Sequence, residues 1–97
     1  MIVEWSEQAA AELQAARDFM ARSSPGYAQA VAERVVRRSE GLADHPMLGA
    51  EVPEYGEEPL REVYEHPLRI LYRLTEERVQ IVSVVHSARR LPRTPPG

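Results

Sequence analysis

LREVYEHPLRILYRLTEERVQIVSVVH, residues 60–86, is the stretch that decides the fold. Its apolar residues recur at every second position. Two short breaks, His66-Pro67 and Glu76-Glu77-Arg78, divide it into three runs: Leu60 to Glu65, Leu68 to Thr75 and Val79 to His86. Period-two runs joined by such short connections predict a three-stranded antiparallel meander. In the middle run Leu68, Ile70, Tyr72 and Leu74 share one face, while Arg69, Leu71, Arg73 and Thr75 share the other. The last run is apolar on both faces along much of its length, as expected of a strand with neighbours on either side.

Upstream of this stretch the period lengthens. Ile2 to Trp5 suits a short first strand, and Ser6 stands where a helix N-cap belongs, with Glu7 in the first turn where the helix dipole favours an anion. Ala9, Leu13, Ala16 and Met20 then form one apolar stripe, leaving Glu12, Arg17 and Asp18 for solvent. Ser23-Ser24-Pro25-Gly26 stops this helix and starts another, because Ser24 can cap and proline is tolerated at the first helical position. The second helix is expected from Pro25 to about Ala43, with Ala28, Val31, Ala32, Val35 and Leu42 inward and Arg34, Arg37 and Arg38 on a solvated face. His45-Pro46 and Leu48-Gly49 break it, and residues 49–59, rich in Gly, Pro and Glu, read as a loop. The predicted fold class is α+β: an N-terminal strand, an antiparallel helix hairpin, then a three-stranded antiparallel meander. Residues 1–91 make a single domain. The proline-rich tail, residues 92–97, is expected to be extended or disordered unless a partner holds it.

Composition narrows the chemistry. A chain of 97 residues supports one small core, so a partner can matter to its stability. There is no cysteine, hence no disulfide, thiol nucleophile or thiolate metal site. All twelve basic residues are arginine, which leaves no lysine for amine chemistry. His45, His66 and His86 stand apart from one another, so neither a metal site nor a cofactor is expected. The start of the chain lacks the basic and then apolar pattern of a secretion signal, and no run is long enough to span a bilayer; a cytoplasmic protein is expected. Charge is unevenly placed: residues 1–60 hold five Arg against eleven Asp or Glu, net −6, whereas residues 61–97 hold seven Arg against four Glu, net +3. An acidic or anionic partner is expected at the basic end.

Several pieces in this order carry a resemblance: Val3-Glu4-Trp5-Ser6 with Ala9 and Leu13; Leu42, His45-Pro46 and Leu48-Gly49; Leu60-Arg61-Glu62-Val63; Arg69-Ile70-Leu71-Tyr72-Arg73; and Val84-Val85-His86-Ser87-Ala88-Arg89-Arg90. Along nearly its whole length the chain resembles ParE-like toxins of the RelE/ParE superfamily, the toxin halves of type II toxin–antitoxin pairs. The resemblance implies a cytoplasmic toxin held in a hetero-oligomer by a cognate ParD-like antitoxin. It also implies one of two targets: DNA gyrase for the ParE-like branch, or messenger RNA on the ribosome for the RelE-like branch. A non-toxic module that only binds its antitoxin is the third alternative.

RNA cleavage through a 2′-hydroxyl needs a base, an acid and positive charge for the phosphorane. By the resemblance, Arg69 and Arg89 fall where RelE-like enzymes place phosphate-contacting arginines. The proton chemistry lacks its usual residue, since nothing after Arg90 is Tyr, His, Lys, Asp or Glu. His86 is the remaining candidate base, set against a strand-end histidine that bonds locally. Glu62 and Glu65 could act as bases only if held near Arg69 across the hairpin, and otherwise read as charges on an exposed sheet position; Tyr64 and Tyr72 read as packing residues, with stacking on a base as the alternative. The acidic overall charge also makes a poor ribosome ligand. The reading is therefore a binding inhibitor of gyrase rather than an enzyme, with Arg69, His86, Arg89, Arg90 and Arg93 as its target-binding residues. Arg69 is expected to reach a polar surface, so that its loss spares the fold. Arg89 and Arg90 have a competing role, pairing with the Glu-rich loop of residues 51–58.

Overall fold

The computed structural model describes residues 1–97. In chain order its elements are β1 (Ile2–Trp5), α1 (Glu7–Ala21), α2 (Pro25–Gly41), β2 (Ala50–Glu51), a 3-10 turn (Pro53–Tyr55), β3 (Leu60–Glu65), β4 (Leu68–Leu74) and β5 (Arg78–His86). The strands form one mixed sheet in the order β1-β5-β4-β3-β2. β1 runs parallel to β5, and the other neighbours are antiparallel.

Local chemistry sets the helices as expected. The Ser6 hydroxyl accepts from the Ala9 N–H at 3.0 Å and the Ser24 hydroxyl from the Tyr27 N–H at 3.3 Å, so each start satisfies an orphan donor. α2 buries Ala28, Val31, Ala32, Val35 and Ser39, a stripe at helical spacing. Glu12 departs from expectation. Its carboxylate accepts from the Ser83 hydroxyl at 2.8 Å and the Val84 N–H at 3.3 Å, tying α1 to β5 instead of facing solvent.

The meander is present, and the sheet is wider than the alternation alone predicts. Within the stretch read as a loop, Ala50 and Glu51 pair with Glu62 and Arg61 to make the edge strand β2. A two-residue strand has no period to detect. β4 is the central strand and is buried on both faces. Inward, Leu68, Ile70 and Tyr72 join Ala9, Val31, Val35 and Leu42 in the core under the helices. Outward, Leu71 joins Val52, Tyr55, Leu60 and Val82 in a second, smaller core that contains no residue of α1 or α2. A bulge in β5 helps build it: Tyr72 pairs with Ile81 and Leu71 with Ser83, so Val82 is the extra residue and turns to the outer side.

Tyr72 fastens the corner between α2 and the sheet. Its hydroxyl donates to the Pro46 carbonyl at 2.8 Å and accepts from the Gly49 N–H at 2.8 Å, while Arg61 Nη1 donates to the Gly49 carbonyl at 2.6 Å. Gly49 is required by space. A Cβ there would lie 2.6 Å from Tyr72 Oη and 2.7 Å from the Glu62 backbone oxygen.

Two substitutions test this corner. Tyr72→Phe strands the Gly49 N–H and the Pro46 carbonyl, and is expected to cost about 1–3 kcal/mol. The thermal midpoint should fall by roughly 4–8 °C per kcal/mol in a domain this small. Gly49→Ala is expected to cost more, because backbone cannot yield. Gly41→Ala, which places a methyl in open space inside α2, should be neutral or stabilising. A Gly49→Ala protein that melts like the unaltered one would refute the fit.

Candidate functional site

The outer face around Arg69 is the most densely charged part of the sheet. Arg69 lies in β4 opposite Tyr64 of β3, across the hairpin closed by His66-Pro67. Its side chain is only 5 % exposed, because two carboxylates close over it. From β3, Glu62 accepts from Arg69 Nε at 3.0 Å and from Nη2 at 2.9 Å. From the 3-10 turn, Glu54 accepts from Nη1 at 2.8 Å and Nη2 at 3.1 Å. Both grips are two-pronged, which matches the planar fork of a guanidinium. The Glu62 side chain is 5 % exposed and that of Glu54 44 %. The Tyr64 ring completes the cluster, 5.7 Å from the Arg69 guanidinium carbon.

One guanidinium between two carboxylates leaves a local charge of −1. Hydrogen bonding to Arg69 holds the Glu54 carboxyl below its ordinary range. The Glu54 contact, together with that of Glu62, holds Arg69 protonated well above its own ordinary value. The Glu62 carboxylate, aided by desolvation, pushes the Tyr64 phenol up, away from use as a base. The expectation that Arg69 reaches a polar surface is therefore corrected: a cation in a strand buried on both faces must be neutralised where it lies. Glu62 is likewise buried rather than exposed, and Glu65 is drawn to Arg34 at 3.1 Å.

The five expected site residues do not converge. Arg69 and Val85 pair across β4 and β5, and so do Leu68 and His86, which places Arg69 and His86 on alternate sides of the sheet. The exposed His86 accepts the Ala88 N–H on Nδ1 at 3.1 Å, a local turn contact at the strand end. His86 and Arg89 rim an apolar groove of about 470 Å³ between α1 and the ends of β4 and β5, floored by Ala16, Met20, Leu68 and Val84. Phe19 stands beside it, 66 % exposed, with the Arg22 guanidinium 5.6 Å from its ring centre. Arg89, Arg90 and Arg93 are exposed and form no ion pair, whereas Glu54 of the acidic loop is engaged by Arg69. A second groove, of about 690 Å³, runs between the helices over Trp5, Leu13, Ala32 and Val36. No set of three His, Cys, Asp or Glu side chains is placed to hold a metal ion. No helix is long and apolar enough to cross a membrane.

Three comparisons bear on this arrangement. The profile of a family described as "ParE toxin of type II toxin-antitoxin system, parDE" matches residues 3–91. The chain belongs to the ParE toxin family. It is 35 % identical over 88 residues to Toxin RelE2 of Caulobacter vibrioides, covering 90 % of this chain and 96 % of that protein. Its fold is similar to that in the structure titled "Chromosomal ParDE TA system from P. aeruginosa", with a TM-score of 0.72 at 22 % identity, covering 89 % of this chain and 95 % of that one. The ParE frame confirms the α+β order of strand, helix pair and antiparallel strands.

Sequence reasoning set aside Glu62 near Arg69 in favour of an exposed position, and missed Glu54 altogether. Glu62 was within reach: a two-residue turn at His66-Pro67 fixes Tyr64 opposite Arg69 and puts Glu62 on the same face, diagonal to it. Glu54 carried no such signal, since it arrives from a turn with no period.

Removing Arg69 leaves the Glu62 carboxylate buried and alone. Arg69→Met is therefore expected to destabilise by about 3–5 kcal/mol, and Arg69→Met with Glu62→Met to recover most of that loss. Urea titrations decide; equal stability of the single variant and the parent would show that the cluster is solvated. A pH dependence follows from Glu54. Its folded pKa lies below the ordinary 4.5, so its contribution is fully present above that value and is lost as pH falls through the folded pKa. The gap in melting midpoint between parent and Glu54→Gln should shrink as pH drops below about 4.5.

Proposed function

We propose that this ParE-family toxin acts by binding DNA gyrase and not by cutting RNA, and that a ParD-like antitoxin neutralises it in the cytoplasm within a hetero-oligomer. One observation carries this reading. The only arginine buried in the sheet, Arg69, is neutralised twice over by Glu54 and Glu62, so the position expected to hold a phosphate already holds two carboxylates. A phosphodiester approaching it meets a local charge of −1. Of the candidates for proton transfer, the Tyr64 phenol is pushed up and so held from acting as a base, the Glu54 and Glu62 carboxylates are engaged by Arg69, and the imidazole of His86 is on the other side of the sheet from Arg69.

What the molecule offers instead is surface. Arg89, Arg90 and Arg93 are exposed cations without an ion-pair partner, and Arg89 lines an apolar groove with His86 on the same rim. Such a combination suits a broad acidic or DNA-bearing surface, where exposed charge steers encounter and apolar contact retains it. The two grooves also suit an antitoxin segment that folds on contact, laying apolar side chains against Phe19 and Met20 or against Trp5 and Val36.

Purified toxin is expected to inhibit ATP-dependent supercoiling by gyrase and to leave message intact in a translating ribosome assay. Arg89→Ala with Arg90→Ala should raise the inhibitory concentration about tenfold, the equivalent of about 1.4 kcal/mol of lost contact. Arg37→Ala with Arg38→Ala, on α2, should change it less. Message cleavage with gyrase unaffected would overturn the assignment. Antitoxin binding is read by hydrogen exchange: protection should rise in residues 6–45 or at the sheet edges, and its absence from both would refute the docking scheme.

A further inference from the structure

The family match ends at residue 91, yet the chain beyond it is not free of the body. Residues 91–97 have no helix or ladder, and no backbone hydrogen bond ties them down. Even so, Leu91 packs against the outer core of Val52, Tyr55, Leu60, Leu71 and Val82. Pro96 is buried and Pro95 half-buried. At Gly97 a Cβ would come within 3.2 Å of Val82 Cγ1 and 3.8 Å of Arg73 Nη2. Between these anchors Pro92, Arg93 and Thr94 remain exposed. Three prolines in seven residues lower the entropy that docking would otherwise cost, so apolar contact at the two ends can hold the segment without a ladder.

We infer that residues 91–97 form a latched strap, anchored by Leu91 and Pro96 on the outer sheet face, and that the latch holds Arg89, Arg90 and Arg93 together as one basic ridge. Pro96 is then a positioning residue. It touches no target, but it removes the freedom that a loose tail would have to give up on binding. The target of the ridge rests on the gyrase reading; the latch itself does not.

The test uses the full chain with Pro96→Gly, which removes the buried ring, Pro96→Val, which keeps an apolar anchor, and Leu91→Gly, which removes the other anchor; none of the three changes the charge. Backbone ¹⁵N relaxation at Arg93 and Thr94 reports the strap, retention on heparin reports the ridge as a polyanion site, and supercoiling inhibition reports the target. In the parent and Pro96→Val, the strap is expected to be as rigid as β5, with equal heparin retention and equal inhibition. In Pro96→Gly and Leu91→Gly, the far-UV spectrum should be kept, Arg93 should become mobile, elution should come at lower salt, and inhibition should require about fivefold to tenfold more toxin. A parent strap already mobile, or release that leaves heparin retention unchanged, overturns the inference. If relaxation and heparin respond as expected while the parent itself fails to inhibit gyrase, the latch stands and the gyrase reading falls.

Discussion

The rest of the structure depends on β4 being buried on both faces. A strand in that position needs two covers, and a 97-residue chain has one helix pair to give. The helices take the inner face. The outer face is closed by the segment from β2 through the 3-10 turn, with the proline-rich end of the chain alongside. Because β4 also carries a cation at Arg69, the outer cover must bring a carboxylate with it. Glu54 does so, which explains why an acidic stretch folds down onto the sheet instead of extending into solvent.

The arginines differ in what engages them. Arg34, Arg69 and Arg78 are engaged with Glu65, Glu54 and Glu62, and Glu4, and serve the fold. Arg89, Arg90 and Arg93, like Arg37 and Arg38 on α2, form no ion pair within the chain. Net charge alone conceals the division, since an acidic total of −3 coexists with an unneutralised basic end.

Much of the fold was readable because it is periodic. Ser6 and Ser24 as caps, the inward stripe of α2, the hairpin at His66-Pro67 and the two-sided burial of β5 all follow from spacing, and all are present. β2 and the 3-10 turn were not readable, because two or three residues hold no period and their conformation is dictated by what lies beneath them. The site was less readable for a related reason. Alternation assigns Arg69 correctly to the face opposite Ile70, yet it cannot tell whether that face meets water or a second cover. Glu12 failed in the same way: its helical position points away from the apolar stripe, but a bulged β5 offers Ser83 and Val84 to it.

The pairing of β1 with β5 joins the first strand to the last. Ile2 through Trp5 lie in register with Arg78 through Ile81, and the terminal amine reaches the Ala43 carbonyl at 3.1 Å. During synthesis the first strand therefore waits, with its backbone donors and acceptors unpaired, until nearly all of the chain has emerged. The local β3–β4–β5 meander can assemble by itself, whereas closure by β1 is a contact of the greatest sequence separation and comes late. A nascent copy thus spends most of its synthesis with an open sheet edge and half-covered helices. The topology delays closure of the sheet edge until β5 has been made.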